Sequence, residues 1–160
     1  MNKAYLLTGG NEGDRYLNLR QAKTNIEHIC GRLLRASSIY ETAPWGNSNQ
    51  RDYLNQVLLI ETAMSAIQLL KSILSIEEMG GRIRTVKNAP RTIDIDILFY
   101  NDFVVNEPGL YIPHPRISER RFVLEPLNEI SPGFVHPVLS KTIHELLQEC
   151  KDELAVKKMT

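Results

Sequence analysis

From Ile93 to Ile97 the chain alternates apolar and acidic residues: Ile93, Asp94, Ile95, Asp96, Ile97. Ile, Thr, Phe and Tyr suit a pleated backbone, so the segment from Arg91 to Tyr100 reads as a strand. Strand side chains alternate between faces. Ile93, Ile95 and Ile97 therefore share one face and point into a core. Asp94 and Asp96 share the other, roughly 6.5–7 Å apart along the strand. The greasy face needs a second layer packed on it. The acidic face needs another explanation, because like charges held that close repel unless a cation sits with them. Mg²⁺ suits such a pair, since it takes oxygen ligands from one or two carboxylates and from phosphates. A half-solvated sheet face that happens to carry two acids is the plainer alternative.

The flanking residues favour the metal. Between Gly80 and Arg91 lie four cations, Arg82, Arg84, Lys87 and Arg91, with turn residues at both ends. A basic loop that feeds an acidic strand face suits a phosphate chain: a metal takes some oxygens and guanidinium groups take others.

The 160 residues suit one domain, residues 1–160, with a sizeable core. Lys and Arg number 19, Asp and Glu also 19. That balance argues against a general nucleic-acid or membrane binder, which carries a basic excess. The apolar runs are too short for a transmembrane helix. The start, Met1 to Thr8, turns polar too soon for a signal peptide and reads as a first strand. Cys30 and Cys150 have no metal-ligand spacing and are expected to be reduced thiols. A cytoplasmic monomer binding small molecules is the expectation.

Along the chain, residues 3–8 read as a buried strand, and Asp14 caps a helix ending at Gly31. A strand over about Leu33 to Tyr40, a turn-rich loop and a strand from Tyr53 to Thr62 follow. Ser65 and Gln68 form a capping box for a helix through Met79, and Thr142 with Glu145 does the same for a last helix to about Cys150. Phe103 to Val105 reads as a short hairpin partner of the acidic strand, residues 108–115 as irregular, Arg120 to Leu127 as a short helix, and residues 151–160 as frayed. The order β-α-β-β-α-β predicts an α+β, ferredoxin-like sandwich. Its antiparallel sheet carries helices on one face plus C-terminal additions, and its other face is free for ligand.

Lys87 to Leu98 resembles the signature of the 6-hydroxymethyl-7,8-dihydropterin pyrophosphokinase family. Other segments resemble it in the right order: Ser38 to Gly46, Asp52 to Asn55, Ile76-Glu77 with Gly81 to Arg84, Pro113 to Arg116, and Arg120 to Leu127. The resemblance implies transfer of a pyrophosphoryl group from ATP to the hydroxymethyl group of the dihydropterin, with two Mg²⁺ ions and release of AMP. It implies that Asp94 and Asp96 hold metal, and that Arg82 and Arg91 act in turnover. It gives Thr42, Ala43, Pro44, Trp45, Tyr53, Asn55 and Phe122 to the pterin, and Glu77, Arg84, Arg91, Ile97, His114 and Arg120 to ATP. Three positions depart from the family's pattern. Gly10 stands where a serine is common, Leu74 where some members carry an amide, and the basic loop lacks an aromatic that some members fold over the pterin. Trp45 is the nearest substitute.

These residue types fit that chemistry. Phosphoryl-type transfer requires in-line positioning and charge neutralisation more than covalent work. Tyr53 and Phe122 can stack on a flat heterocycle, and Asn55 offers both donors and an acceptor to its edge. Two other readings use the same residues: a non-catalytic ferredoxin-like ligand module, or a two-metal phosphatase or nuclease. The first needs no acid pair. The second normally wants more acids than one pair plus Glu77.

Overall fold

The computed structural model describes residues 1–44, 50–80 and 92–159. Four long segments build the sheet: β1 (Asn2–Gly10), the pair β2 (Arg32–Ala36) and β3 (Tyr40–Thr42), β4 (Tyr53–Thr62) and β5 (Asp94–Tyr100). With β8 (Val156–Lys158) at one edge, the strand order is β5-β1-β4-β3-β8, with β2 also on β4, and every pairing is antiparallel. This is the ferredoxin-like order the β-α-β-β-α-β pattern predicts. Helices α1 (Arg15–Ile29) and α2 (Ala66–Met79) supply the two crossovers. Asp14 caps α1 by accepting from the Leu17 N–H at 3.1 Å, and Ser65 and Gln68 form the expected capping box on α2.

Alternation sorts the apolar residues into two cores. Ala4, Leu6, Leu54, Leu58, Ile60, Ile93, Ile95 and Ile97 pack against Leu19, Ala22 and Ile26 of α1 and Leu69, Ile73 and Ile76 of α2. On the opposite face, Tyr5, Leu7, Val57, Leu59, Leu98 and Phe99 meet Val123, Leu124, Leu127 and Ile130 of α3 (Arg121–Ile130), and Ile143 and Leu146 of α4 (Ile143–Glu149). A register shift in the β1–β5 pairing explains how consecutive Leu98 and Phe99 both reach this second core. Tyr5 pairs with Phe99 and Leu6 with Ile97, which leaves Leu98 as an extra, bulged residue. The C-terminal additions thus roof half of the face expected to be open. The half near Gly9, Asn55 and Asp94 is left as an open cleft that only the start of α3 and the turn before it reach.

Four local readings are corrected. The strand expected over Leu33 to Tyr40 is broken at Ser37, whose hydroxyl oxygen accepts from the Val57 N–H at 2.9 Å while its carbonyl accepts from the Gln56 side chain at 2.8 Å. The Ser37 N–H still donates to the Val57 carbonyl at 2.8 Å, but side chains take the neighbouring ladder positions, and the strand divides into β2 and β3. Phe103 and Val104 are exposed and do not pair with β5. The hairpin lies one step on, between β6 (Val105–Glu107) and β7 (Leu110–Ile112), so residues 108–115 are not wholly irregular. The segment expected to fray forms β8 (Val156–Lys158), paired with β3. Polar composition suggested fraying, but edge-strand β3 had unpaired backbone groups to offer.

Cys30 and Cys150 are free thiols, as expected. Among the described residues no helix is long and apolar enough to cross a membrane.

Candidate active site

One row across the sheet sets the floor of the site. In register, Asp94 of β5 pairs with Gly9 of β1, Gly9 with Asn55 of β4, and Asn55 with Tyr40 of β3. Gly9 makes this row usable: a Cβ there would collide with Asn55 Oδ1, so only glycine lets the amide lie across β1. Asn55 is buried and donates from Nδ2 to Thr42 Oγ1 at 3.4 Å. Gly10 is equally constrained, since a Cβ would lie 2.5 Å from the Thr92 carbonyl oxygen. The glycine that departs from the family's usual serine therefore matches a close approach of β1 to the chain just before β5.

Above this row opens a cleft of about 480 Å³. Its lining includes Thr42, Ala43 and Pro44 at the end of β3, Tyr53 and Asn55 of β4, Asp94 and Asp96 of β5, and Arg120 and Phe122 at the start of α3. Nine residues expected in the site from sequence are thus brought together from β3, β4, β5 and the start of α3. Asp94 and Asp96 are half-buried while Ile95 and Ile97 beside them are buried, as the alternation predicts. Phe122 and Tyr53 are half-buried at the cleft rather than lost in a core. The Arg120 guanidinium lies 5.6 Å from the centre of the Phe122 ring, which ties the cationic and aromatic parts of the wall together.

Three expected residues stand behind the cleft lining. Glu77 is buried, and its carboxylate accepts from the Ile95 N–H at 2.8 Å. It therefore fixes α2 to the acid-bearing strand. The Ile97 side chain belongs to the helix-side core. His114 is half-buried. Its N–H donates to the Leu98 carbonyl at 3.0 Å, and its Nδ1 accepts from the Arg116 N–H at 3.2 Å. Burial holds the imidazole below its usual pKa; Asp96 pulls it up, while Arg120 and Arg116 push it further down. Trp45, Arg82, Arg84 and Arg91 lie outside the described residues, as does Lys87.

The cleft also contains residues given no role from sequence: Leu7, Gly9, Gln50, Arg116 and Glu119. Arg116 and Glu119 reach it through a 3₁₀ turn (Ile117–Glu119), and only tertiary placement brings that turn to the acid pair. The rim is braced by Arg15, which donates to Glu41 Oε2 at 2.8 Å and to the Asp52 carbonyl at 2.9 Å. Asn11 donates to the Arg51 carbonyl at 3.1 Å.

A pair of carboxylates, a guanidinium and two aromatic rings in one cleft are chemically suited to a phosphate-bearing and a flat heterocyclic ligand. The comparisons with known proteins narrow this class. The sequence model of the family described as 7,8-dihydro-6-hydroxymethylpterin-pyrophosphokinase matches residues 5–132. The chain belongs to that family. It is 38% identical over 149 residues to the 2-amino-4-hydroxy-6-hydroxymethyldihydropteridine pyrophosphokinase of Aquifex aeolicus, covering 93% of this chain and 92% of that one. With the folic acid synthesis protein fol1 of Schizosaccharomyces pombe it shares 44% identity over 152 residues, 94% of this chain but only 20% of that protein. The chain thus spans about a fifth of the length of that longer relative. Among solved structures, a Plasmodium falciparum HPPK-DHPS triple mutant superposes with a TM-score of 0.77 at 21% identity, over 92% of this chain and 43% of the other. That likeness concerns the fold.

Proposed function

We propose that this chain transfers the diphosphoryl group of ATP to the hydroxymethyl oxygen of 6-hydroxymethyl-7,8-dihydropterin, releasing AMP. One observation carries the reading: Asp94 and Asp96 line the same cleft as Thr42, Tyr53, Asn55, Phe122 and Arg120. The pterin ring stacks against Phe122 and Tyr53. Asn55, held by Thr42, hydrogen-bonds the ring edge. Arg120 and Arg116 offset triphosphate charge. Arg82, Arg84 and Arg91 complete that task, on the strength of the family resemblance.

Two Mg²⁺ ions belong to this proposal. Among the described residues no cluster of three or more His, Cys, Asp or Glu side chains could hold a metal. Mg²⁺ keeps several waters and binds through one or two carboxylates plus substrate phosphates. Asp94 and Asp96 would hold it, and when bound it would neutralise phosphate oxygens and acidify the accepting hydroxyl. The protein's own part is to align the hydroxymethyl oxygen with the β-phosphorus and exclude water. The reading treats residues 1–160 as one unit acting as a monomer.

Product analysis tests it. With ATP, Mg²⁺ and the hydroxymethyl dihydropterin, AMP is expected only when both substrates are present. ADP, or AMP without pterin, overturns the reading. Phosphate release without an acceptor identifies a phosphatase, and Mg²⁺-dependent ATP binding without product identifies a binding module.

A further inference from the structure

Glu129 does not line the cleft, yet it ties α3 to β3, two elements that do contribute to its lining. Its carboxylate accepts from the Ser38 N–H at 3.0 Å, the Ser38 hydroxyl at 2.8 Å and the Tyr40 hydroxyl at 2.7 Å. Lys158 of β8 approaches to 3.8 Å. Ser38 sits in the bend between β2 and β3, and Tyr40 opens β3. Two residues further along β3 is Thr42, and Ala43 and Pro44 follow. Tyr40 is also the register partner of Asn55, and Thr42 that of Tyr53. Glu129 therefore grips the strand that leads to Thr42, Ala43 and Pro44 and that is paired, at Thr42, with Tyr53, one wall of the proposed pterin slot.

The other wall is Phe122, seven residues before Glu129 on the same helix. Seven residues make about two helical turns, so Phe122 and Glu129 share one face of α3. One end of that face presents the aromatic wall, and the other holds the strand opposite. The grip is electrostatically favourable. Burial alone would raise the Glu129 pKa, but the hydrogen bonds from Tyr40 and Ser38 outweigh it and hold the carboxylate below its usual value. The group is thus an anion at neutral pH. The Tyr40 hydroxyl is held far above its usual range by burial first and by Glu129 second, so it stays a donor.

We propose that Glu129 is a positioning residue that sets the width of the pterin slot by tying β3 to α3. The claim rests on the pterin reading above and deepens it. A flat ring between two walls loses about a quarter to a half of its dispersion contact when the gap widens by 0.5–1 Å. The acid pair sits on β5, which pairs with β1 and not with β3. This tie therefore reaches the nucleotide side only through Arg120 at the start of α3, and the larger effect falls on the pterin.

The test separates the two substrates. In Glu129→Ala the KM for the dihydropterin, and its Kd by pterin fluorescence, are expected to rise about tenfold, with the ATP KM within about twofold. Glu129→Gln keeps an acceptor of the same size and is expected to recover most of the loss. Equal rises in both KM values overturn the proposal. So does a fall in Tm with an unchanged pterin Kd, which would leave Glu129 a stability role only. Should Glu129→Ala not fold, Tyr40→Phe carries the test: it keeps the ring and removes one donor, and an unchanged pterin Kd overturns the claim. Wild-type chain that forms no AMP from both substrates overturns the functional reading itself, before any variant is made, and this proposal with it.

Discussion

The two faces of the sheet use the same alternation for different ends. Towards α1 and α2, the inward positions from Ala4 to Ile97 are mostly apolar and form one cluster. The polar ones among them, Thr8, Gln56 and Thr62, are buried with hydrogen bonds to backbone. Towards α3 and α4, the apolar positions stop partway along the strands. Val57 and Leu59 pack in the second core, while Asn55 and Tyr53, two and four residues before Val57 on the same face, line the cleft. On β5, Leu98 and Phe99 are core, and Asp96 and Asp94 are cleft. The helix-side face is committed to stability. The other face holds its polar row in place by anchoring the far end of the same strands in a core. Polar residues of such a row keep their geometry because each strand is pinned a few residues away.

Variants on the two faces should therefore fail differently, and the largest effect is expected at the acid pair. Asp96→Asn keeps the side-chain volume and removes the charge. Turnover should fall about 10²–10³-fold or more, in the range for losing a key charge-stabilising group. Its Tm should stay close to wild type, and normal turnover would remove the metal role. Leu58→Ala, on the helix side and fully buried, should instead cost about 2–5 kcal/mol of stability by denaturant titration. It should leave both KM values near wild type in the folded fraction. A pterin-specific loss there would blur the division between the faces.

Gly9→Ala tests the row directly. The added methyl collides with Asn55, so a cost of about 1–3 kcal/mol is expected together with weaker pterin binding. In Gly9→Ala/Asn55→Ala the collision is relieved. Stability should recover relative to the sum of the single changes, while pterin binding stays poor. Simple additivity in stability would mean that Gly9 serves some other neighbour.

The smallest effect concerns the second core. His136 is buried, and its Nδ1 accepts from the Val138 and Leu139 N–H groups at 3.1 Å each. Its ring also meets the edge of Phe99. Burial holds its pKa below 6.5 in the folded protein. The unfolded chain then binds the proton first. Stability from the neutral ring is fully present above pH 6.5 and is lost as pH falls from there towards the lowered folded value. Tm should drop between pH 7 and 5.5. His136→Asn, which offers a similar acceptor that does not titrate, should flatten that drop.

Much of this was legible in the chain because it depends on neighbours in sequence. Period-two alternation placed Asp94 and Asp96 on one face and the isoleucines on the other. The Ser65–Gln68 and Thr142–Glu145 spacings placed two helix starts correctly. The Ser37 break was not legible, because the partner that makes it, Gln56, lies nineteen residues away in sequence. The bulge at Leu98 depends on register with β1 and has no local signature. Residues 151–160 looked frayed for the same reason: their partner β3 is more than a hundred residues distant. Glu129 had a faint signal, the seven-residue spacing from Phe122, but nothing local says that Ser38 and Tyr40 lie opposite.

The order of strands and helices, their apolar faces and the chemical identity of the acid pair are set by the sequence itself, since they follow from backbone periods and side-chain types. Which polar residues share a cleft was decided in three dimensions. Gly9 lets Asn55 cross β1, α3 roofs only half a sheet face, and Glu129 joins β3 to the helix of Phe122. Each of these is a contact between segments far apart in the chain. Such contacts form only when packing of both cores fixes where the strands and helices lie relative to one another.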